Sequence, residues 1–102
     1  MTDACRPLLL AAVLFAVAPT VRASDSDQGA VLYRQHCASC HGATGRGEMP
    51  GVPNFARGDA LLRTDAELLE RIRRGRLAMP GYFGILTDEE ILDVVSFLRT
   101  LQ

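Results

Sequence analysis

Three residues whose side chains could act together chemically lie close to one another in the sequence: Cys37, Cys40 and His41. They form a C-x-x-C-H motif, which is the attachment signature of a c-type haem. The two thiols can add to two vinyl groups on one edge of a porphyrin, and the adjacent imidazole can bind the iron. A zinc site would need more Cys or His ligands, and a thioredoxin-like redox pair would need a βαβ context. The motif therefore predicts one covalent haem c, with iron bound by His41.

A second iron ligand is predicted at Met79, in the dipeptide Met79-Pro80. A thioether opposite an imidazole favours the reduced iron and raises its reduction potential. It also closes the iron to outside ligands, which suits outer-sphere electron transfer. Pro80 would stiffen the backbone next to the ligand. The sequence thus predicts His41 and Met79 as the two axial ligands.

Two other residues compete for the second position. Met49 is also followed by proline, but it follows His41 after a short glycine-rich segment that is poorly suited to crossing from one haem face to the other. His36 adjoins Cys37 and so stays near the attachment edge, where we interpret it as a packing or surface residue. Met79 remains favoured because it follows a predicted helix that could carry the chain to the distal side.

The first 23 residues have the form of a secretory signal peptide. Arg6 gives a weak basic start, the apolar run Leu8–Ala18 follows, and Val21-Arg22-Ala23 resembles a cleavage site. The apolar run is well short of the ~20 residues that span a bilayer, so a retained membrane anchor is disfavoured. We expect cleavage after Ala23, a mature domain at residues 24–102 without a membrane span, and a periplasmic location.

The size and charge of the mature domain agree with a haem protein. Cys5 lies before the apolar run and would be lost with it, which leaves Cys37 and Cys40 for the haem. So short a domain usually carries a metal, disulfides or another cross-link, and the porphyrin would serve this purpose. The net charge of the whole chain is −1 and every basic residue is arginine, so nothing indicates nucleic-acid binding and a lysine-rich docking face is excluded.

The hydrophobic periodicity indicates three helices and no strands. Two of the helices begin with a capping box, at residues 64–67 and 87–90. Gly29 lies inside the first helix, where glycine costs about 1 kcal/mol relative to alanine, so we expect another helix to pass close by. The predicted helices span approximately Gln28–Cys37, Asp65–Arg74 and Asp88–Leu101. They are separated by two long loops, Gly42–Gly58 and Gly75–Leu86, which could wrap a haem.

With these residues in place, the chain resembles class I cytochrome c over nearly all of the mature domain. Gly29, Tyr33 and Cys37 are spaced like the glycine, aromatic residue and first cysteine of that family's N-terminal helix. Val94 and Phe97 resemble the pair on the C-terminal helix against which that glycine packs. The resemblance implies an all-α, class I cytochrome c-like fold around one covalent haem, with crossed terminal helices.

The same resemblance extends to Pro53, twelve residues after His41. It is similar to the proline whose carbonyl accepts a hydrogen bond from the ligand histidine, a bond that fixes the imidazole and raises its basicity. We expect an electron carrier, not an enzyme, that is a monomer and works with redox partner proteins. A haem enzyme or gas sensor with a labile sixth ligand is the alternative, and Met79 argues against it.

A narrower resemblance concerns the partner. The segments 53–58, 73–82 and 86–92 are similar to small periplasmic cytochromes encoded with the cytochrome-cd-type nitrite reductase of denitrifying bacteria. This implies that the carrier gives electrons to nitrite reductase, or that it assists the maturation of the reductase.

One concentrated basic run, between residues 71 and 76, could steer an acidic partner. Glu67 with Arg71 and Glu70 with Arg74 have the spacing of helical ion pairs, so a solvated, compensated helix face is the favoured interpretation. The sequence offers Arg73 and Arg76 no such partner.

Overall fold

The terminal helices cross at the position that sequence analysis singled out. In the computed structural model, which describes residues 10–102, helix α1 spans Ser26–His36 and helix α4 spans Asp88–Leu98. A Cβ atom on Gly29 would lie 1.9 Å from the Asp93 carbonyl oxygen and 3.0 Å from the Val94 nitrogen. The two helix backbones are therefore in direct contact, and the expectation of a helix close to Gly29 is confirmed.

The other elements complete an all-α fold. Helix α2 spans Ala38–His41 and helix α3 spans Asp65–Arg74, with short 3₁₀ turns at Phe55–Arg57 and Arg99–Leu101. Within residues 10–102 there are isolated β-bridges but no strand. The predicted second helix has the observed bounds. The predicted third helix is interrupted, because its last residues form the second 3₁₀ turn.

Local capping fixes where α3 and α4 begin. The Thr64 hydroxyl accepts from the Glu67 amide, while the Glu67 carboxylate accepts from the Thr64 amide at 2.7 Å. The same reciprocal arrangement joins Thr87 and Glu90. Both predicted capping boxes are confirmed, and each satisfies amide groups that have no partner inside the helix.

Helix α1 is tied to α4 by a buried carboxylate. Asp93 is 1% exposed, and its Oδ1 accepts from the backbone amide of Asp25, the N-cap of α1, at 2.7 Å. Its Oδ2 accepts from the Arg22 guanidinium at 3.1 Å. A buried carboxylate needs such partners because desolvation of an unpaired charge is costly. Asp93 therefore fixes the position of the chain just before α1.

Most of the core lies between α1, α3 and α4. Tyr33 of α1 packs against Phe97 of α4, with ring centroids 5.1 Å apart and an interplanar angle of 55°. This tilted arrangement is one that aromatic pairs favour. The buried hydrophobic residues are Leu32, Tyr33, Phe55, Leu61, Leu68, Ile72, Tyr82, Leu86, Ile91, Val94, Val95 and Leu98.

Residues 10–25 are exposed and contribute no side chain to this core, although Arg22 and Asp25 contact Asp93. They form neither helix nor strand, and large apolar side chains such as Leu10, Leu14 and Phe15 are almost fully exposed. The start of the predicted signal peptide, with Cys5 and Arg6, lies outside the described residues. Among the residues that are described, no helix has the length and apolar character needed to cross a membrane.

Candidate functional site

The C-x-x-C-H motif forms a single helical turn. The Cys37 carbonyl accepts from the amides of Cys40 and His41, at 3.2 and 2.9 Å, and Gly42 ends the turn with a positive φ of 84°. Residues at i, i+3 and i+4 of a helix share one face. Helix α2 thus places both thiols and the imidazole on the same side of the chain. The sequence pattern predicted Cys37 as the last residue of the first helix and did not predict α2, which is too short to produce a periodic pattern.

The Cys37 thiol does not have the character of a catalytic redox thiol. Burial, and to a lesser extent the neighbouring Cys40, raises the pKa of Cys37 to about 11. Catalytic thiols in C-x-x-C motifs have lowered pKa values, which keep the thiolate available at neutral pH. Both cysteines are free and partly buried. Cys37 therefore lacks the lowered pKa that is typical of a catalytic thiol in disulfide exchange.

His41 has the properties of a metal ligand. Its ring stacks on Phe55, with centroids 5.1 Å apart and an interplanar angle of 27°. Burial lowers the pKa of His41, so the imidazole is held in the neutral form that binds metals. Its Nδ1 is buried and has no hydrogen-bond partner. A buried polar nitrogen normally has a partner, so this one is an exception that points to a function. No pattern in the sequence predicted the stacking of the His41 ring on Phe55.

Pro53 lies beside Gly47, which bonds the backbone of His41, and the predicted hydrogen bond from His41 to the Pro53 carbonyl is not formed in the structure. The Gly47 amide donates to the His41 carbonyl at 2.8 Å. A Cβ atom on Gly47 would be 3.7 Å from the Pro53 carbonyl oxygen. The Pro53 carbonyl therefore belongs to the segment that packs beside His41, and its role as acceptor for Nδ1 remains a prediction.

Met79 lies in a tight turn directly after α3. Its amide donates to the Arg76 carbonyl at 2.9 Å and its carbonyl accepts from the Arg76 amide at 3.0 Å. Gly75 and Gly81 close this turn backbone to backbone, because a Cβ atom on Gly75 would lie 2.5 Å from the Gly81 nitrogen. The Met79 side chain is partly buried and packs against the core. The turn is thus closed by backbone contacts, and the Met79 side chain lies against the core.

The two competing residues have different surroundings. Met49 is 45% exposed and lies among turns between Gly42 and Phe55. His36 is the last residue of α1, and its ring packs edge-on against Tyr82 with centroids 5.5 Å apart. The structure thus agrees with the interpretation of His36 as a packing residue.

The basic run is compensated in part, with a different pairing from the one predicted: Arg73 and Arg74 form ion pairs, and the predicted pair between Glu67 and Arg71 is not formed. Arg74 pairs with Glu70 at 3.2 Å as predicted, whereas Glu67 is engaged in the capping box of α3. Arg73, for which no partner was expected, contacts Glu70 at 3.2 Å and Asp88 of α4 at 3.3 Å. The ion pair with Asp88 was invisible in the sequence because it joins two different helices. Two of the four arginines of this run are therefore compensated by acidic neighbours, as a partly compensated helix face.

The residues of this site fit a covalently attached haem. Two thiols share one helix face with a neutral imidazole whose Nδ1 lacks a partner, and a thioether is packed against the same core. This donor set is the one that haem c uses. The fold and the site therefore define a small haem-binding protein.

Comparison with known proteins agrees with this assignment. Residues 24–98 match the family model described as cytochrome C oxidase, cbb3-type, subunit III. Cytochrome c6 of Thermosynechococcus vestitus is 30% identical over 91 residues, which cover 85% of this chain and 80% of that protein. The solved structure of the KustC0563 c-type cytochrome is 31% identical with a TM-score of 0.63, covering 72% of this chain and 96% of that one. Cytochrome c6 from the diatom Phaeodactylum tricornutum is 26% identical with a TM-score of 0.60, covering 76% and 93%.

The chain belongs to the class I c-type cytochromes, in the family described as cytochrome C oxidase, cbb3-type, subunit III. It is a small electron carrier with covalently bound haem c and its iron, and it is not an enzyme. The predicted class I resemblance and the predicted cofactor are both confirmed. An electron carrier of this kind exchanges electrons with partner proteins.

Proposed function

We propose that this chain is a periplasmic carrier of single electrons, with haem attached through Cys37 and Cys40 and iron bound by His41 and Met79. The observation that carries the proposal is the geometry of α2, which presents two thiols and a neutral imidazole on one face. When bound, the haem supplies a reversible one-electron couple. The protein's own residues attach the haem, orient the ligands and limit access to the iron.

A hydrogen-bond acceptor for the His41 ring can be proposed from the same part of the structure. If Nε2 of His41 binds iron, Nδ1 is left to donate a hydrogen bond, and a backbone carbonyl is a common acceptor in such sites. Nδ1 is buried without a partner, and the Pro53 carbonyl belongs to the adjacent segment. We assign that carbonyl the acceptor role. Met79 is preferred to Met49 because it is packed against the core in a closed turn, whereas Met49 is 45% exposed and is not among the residues packed against the core.

The proposed periplasmic location rests on the N-terminal segment. Residues 10–25 are exposed and form neither helix nor strand, and the family match begins at residue 24. Cleavage after Ala23 would remove Arg22, which is one of the two groups that Asp93 contacts. It would also create an α-ammonium group on Ser24, one residue before the Asp25 amide that Asp93 accepts from. A cationic partner for the buried Asp93 carboxylate is therefore available in the processed chain.

Export and haem attachment can be tested together by measuring the intact mass of the protein produced in a bacterium with a c-type cytochrome maturation system. We expect a mass equal to residues 24–102 plus one haem. A chain that retains residues 1–23 would contradict the proposed processing. A processed chain without added haem mass, or with haem removed by acid-acetone extraction, would contradict covalent attachment.

The partner proposed for this carrier is a cytochrome-cd-type nitrite reductase, on the basis of the sequence resemblance around the Met79 loop. To test it, the reduced holoprotein is mixed anaerobically with the reductase and nitrite, and its oxidation is followed by absorption. We expect an oxidation rate that rises with reductase concentration. No oxidation, combined with loss of reductase assembly when the chain is deleted, would favour the maturation role instead.

A further inference from the structure

Tyr82 is firmly held within the loop Gly75–Leu86, which contains Met79 and is called the Met79 loop below. It is 8% exposed, and its amide donates to the Ile72 carbonyl near the end of α3 at 3.0 Å. Its carbonyl accepts from the amides of Ile85 and Leu86, at 2.9 and 3.0 Å. The residue therefore fixes the returning half of the loop three positions after Met79.

The hydroxyl of Tyr82 makes a contact that links this loop to the attachment motif. It donates to the His36 carbonyl at 2.8 Å, across 46 positions of sequence. His36 is the last residue of α1, and carbonyls at a helix C-terminus lack a partner within the helix. Since Cys37 follows directly, the bond connects the segment that carries Met79 to the first residue of the C-x-x-C-H motif.

The other tyrosine of the sequence holds the opposite end of the motif. The Tyr33 hydroxyl donates to the carbonyl of Gly42, directly after His41, at 2.6 Å. Burial raises the pKa of both hydroxyls, to about 12 for Tyr33, so both remain protonated donors at neutral pH. The motif is therefore bounded by two tyrosine hydrogen bonds, of which only the one from Tyr82 originates in the Met79 loop.

We propose that Tyr82 is a positioning residue for Met79, and that its hydrogen bond to His36 holds the thioether against the haem site. The proposal rests on the proposed His41 and Met79 ligation. Loss of the bond would free the loop from the attachment motif and weaken the hold of the sulfur on the iron. An outside ligand would then compete with the sulfur more successfully, because it needs to displace a ligand that is less well positioned.

The test compares the Tyr82→Phe and Tyr33→Phe holoproteins with the wild type. Each variant loses one hydroxyl that donates to a carbonyl beside the motif, while the ring and its packing are kept. The apparent affinity of the ferric protein for added imidazole is measured by absorption titration, with thermal unfolding recorded in parallel. We expect Tyr82→Phe to bind imidazole about five-fold more tightly, the factor that corresponds to the loss of one net hydrogen bond of ~1 kcal/mol.

Tyr33→Phe should change the imidazole affinity by less than about two-fold, although it also lowers thermal stability. Unchanged affinity in Tyr82→Phe, or an equal increase in both variants, would overturn the positioning role and leave the ligand assignment standing. If the wild-type ferric spectrum lacks the weak far-red band of iron-bound thioether, the Met79 sulfur is not a ligand. That result would overturn both the ligand assignment and the positioning role of Tyr82.

Discussion

Replacing Gly29 with alanine is expected to lower the free energy of unfolding of the holoprotein by more than about 3 kcal/mol. The added Cβ would lie 1.9 Å from the Asp93 carbonyl oxygen and 2.4 Å from its carbon. Both are backbone atoms, which cannot rotate away from the added Cβ as a flexible side chain could. The helices α1 and α4 would therefore have to separate. The gain in helix propensity, about 1 kcal/mol, is too small to compensate.

Denaturant unfolding of the holoprotein, followed by helical circular dichroism, measures this effect. The matched control is Gln28→Ala, at the neighbouring and exposed position of α1. Surface substitutions of this kind usually change stability by no more than about 0.5 kcal/mol. If Gly29→Ala were as stable as Gln28→Ala, the close crossing of the terminal helices would be wrong.

The sequence predicted the features of the fold that have a strong local cause. Both capping boxes and the bounds of α3 follow from side chains within a few residues of one another. The close approach at Gly29 could be predicted because glycine is unfavourable inside a helix unless its small size is needed. The attachment motif was equally visible, since its chemistry depends on adjacent residues.

The features that were missed depend on contacts between distant segments. The buried Asp93 carboxylate reads in the sequence as one more acidic residue of a charged helix, and only the fold places it beside the start of α1. Tyr82 is separated from His36 by 46 positions, and Arg73 reaches Asp88 from another helix. Helix α2 escaped prediction for a different reason, because four residues cannot show helical periodicity.

Replacing Met79 with alanine is the second change for which we expect a large effect. Loss of the thioether should lower the reduction potential by roughly 100 mV or more, a fraction of the ~0.8 V over which axial ligands tune haem iron. It should also let the reduced protein bind carbon monoxide, since the sulfur no longer closes the iron. Met49→Ala is the matched control because it removes the same side chain from an exposed position of the other Met-Pro dipeptide. This control should keep the wild-type potential and stay closed to carbon monoxide.

The assignment of Met79 as an iron ligand can be checked in the absorption spectrum of the oxidised holoprotein, through the weak far-red band that marks thioether sulfur bound to ferric iron. We expect the band in the wild type and in Met49→Ala, and we expect its loss in Met79→Ala. A band that survives in Met79→Ala, or one that is lost in Met49→Ala, would contradict the assignment of the second ligand. If the wild type lacks the band and binds carbon monoxide readily when reduced, the iron is open to outside ligands. That result would contradict the proposal of an electron carrier with two protein ligands on the iron.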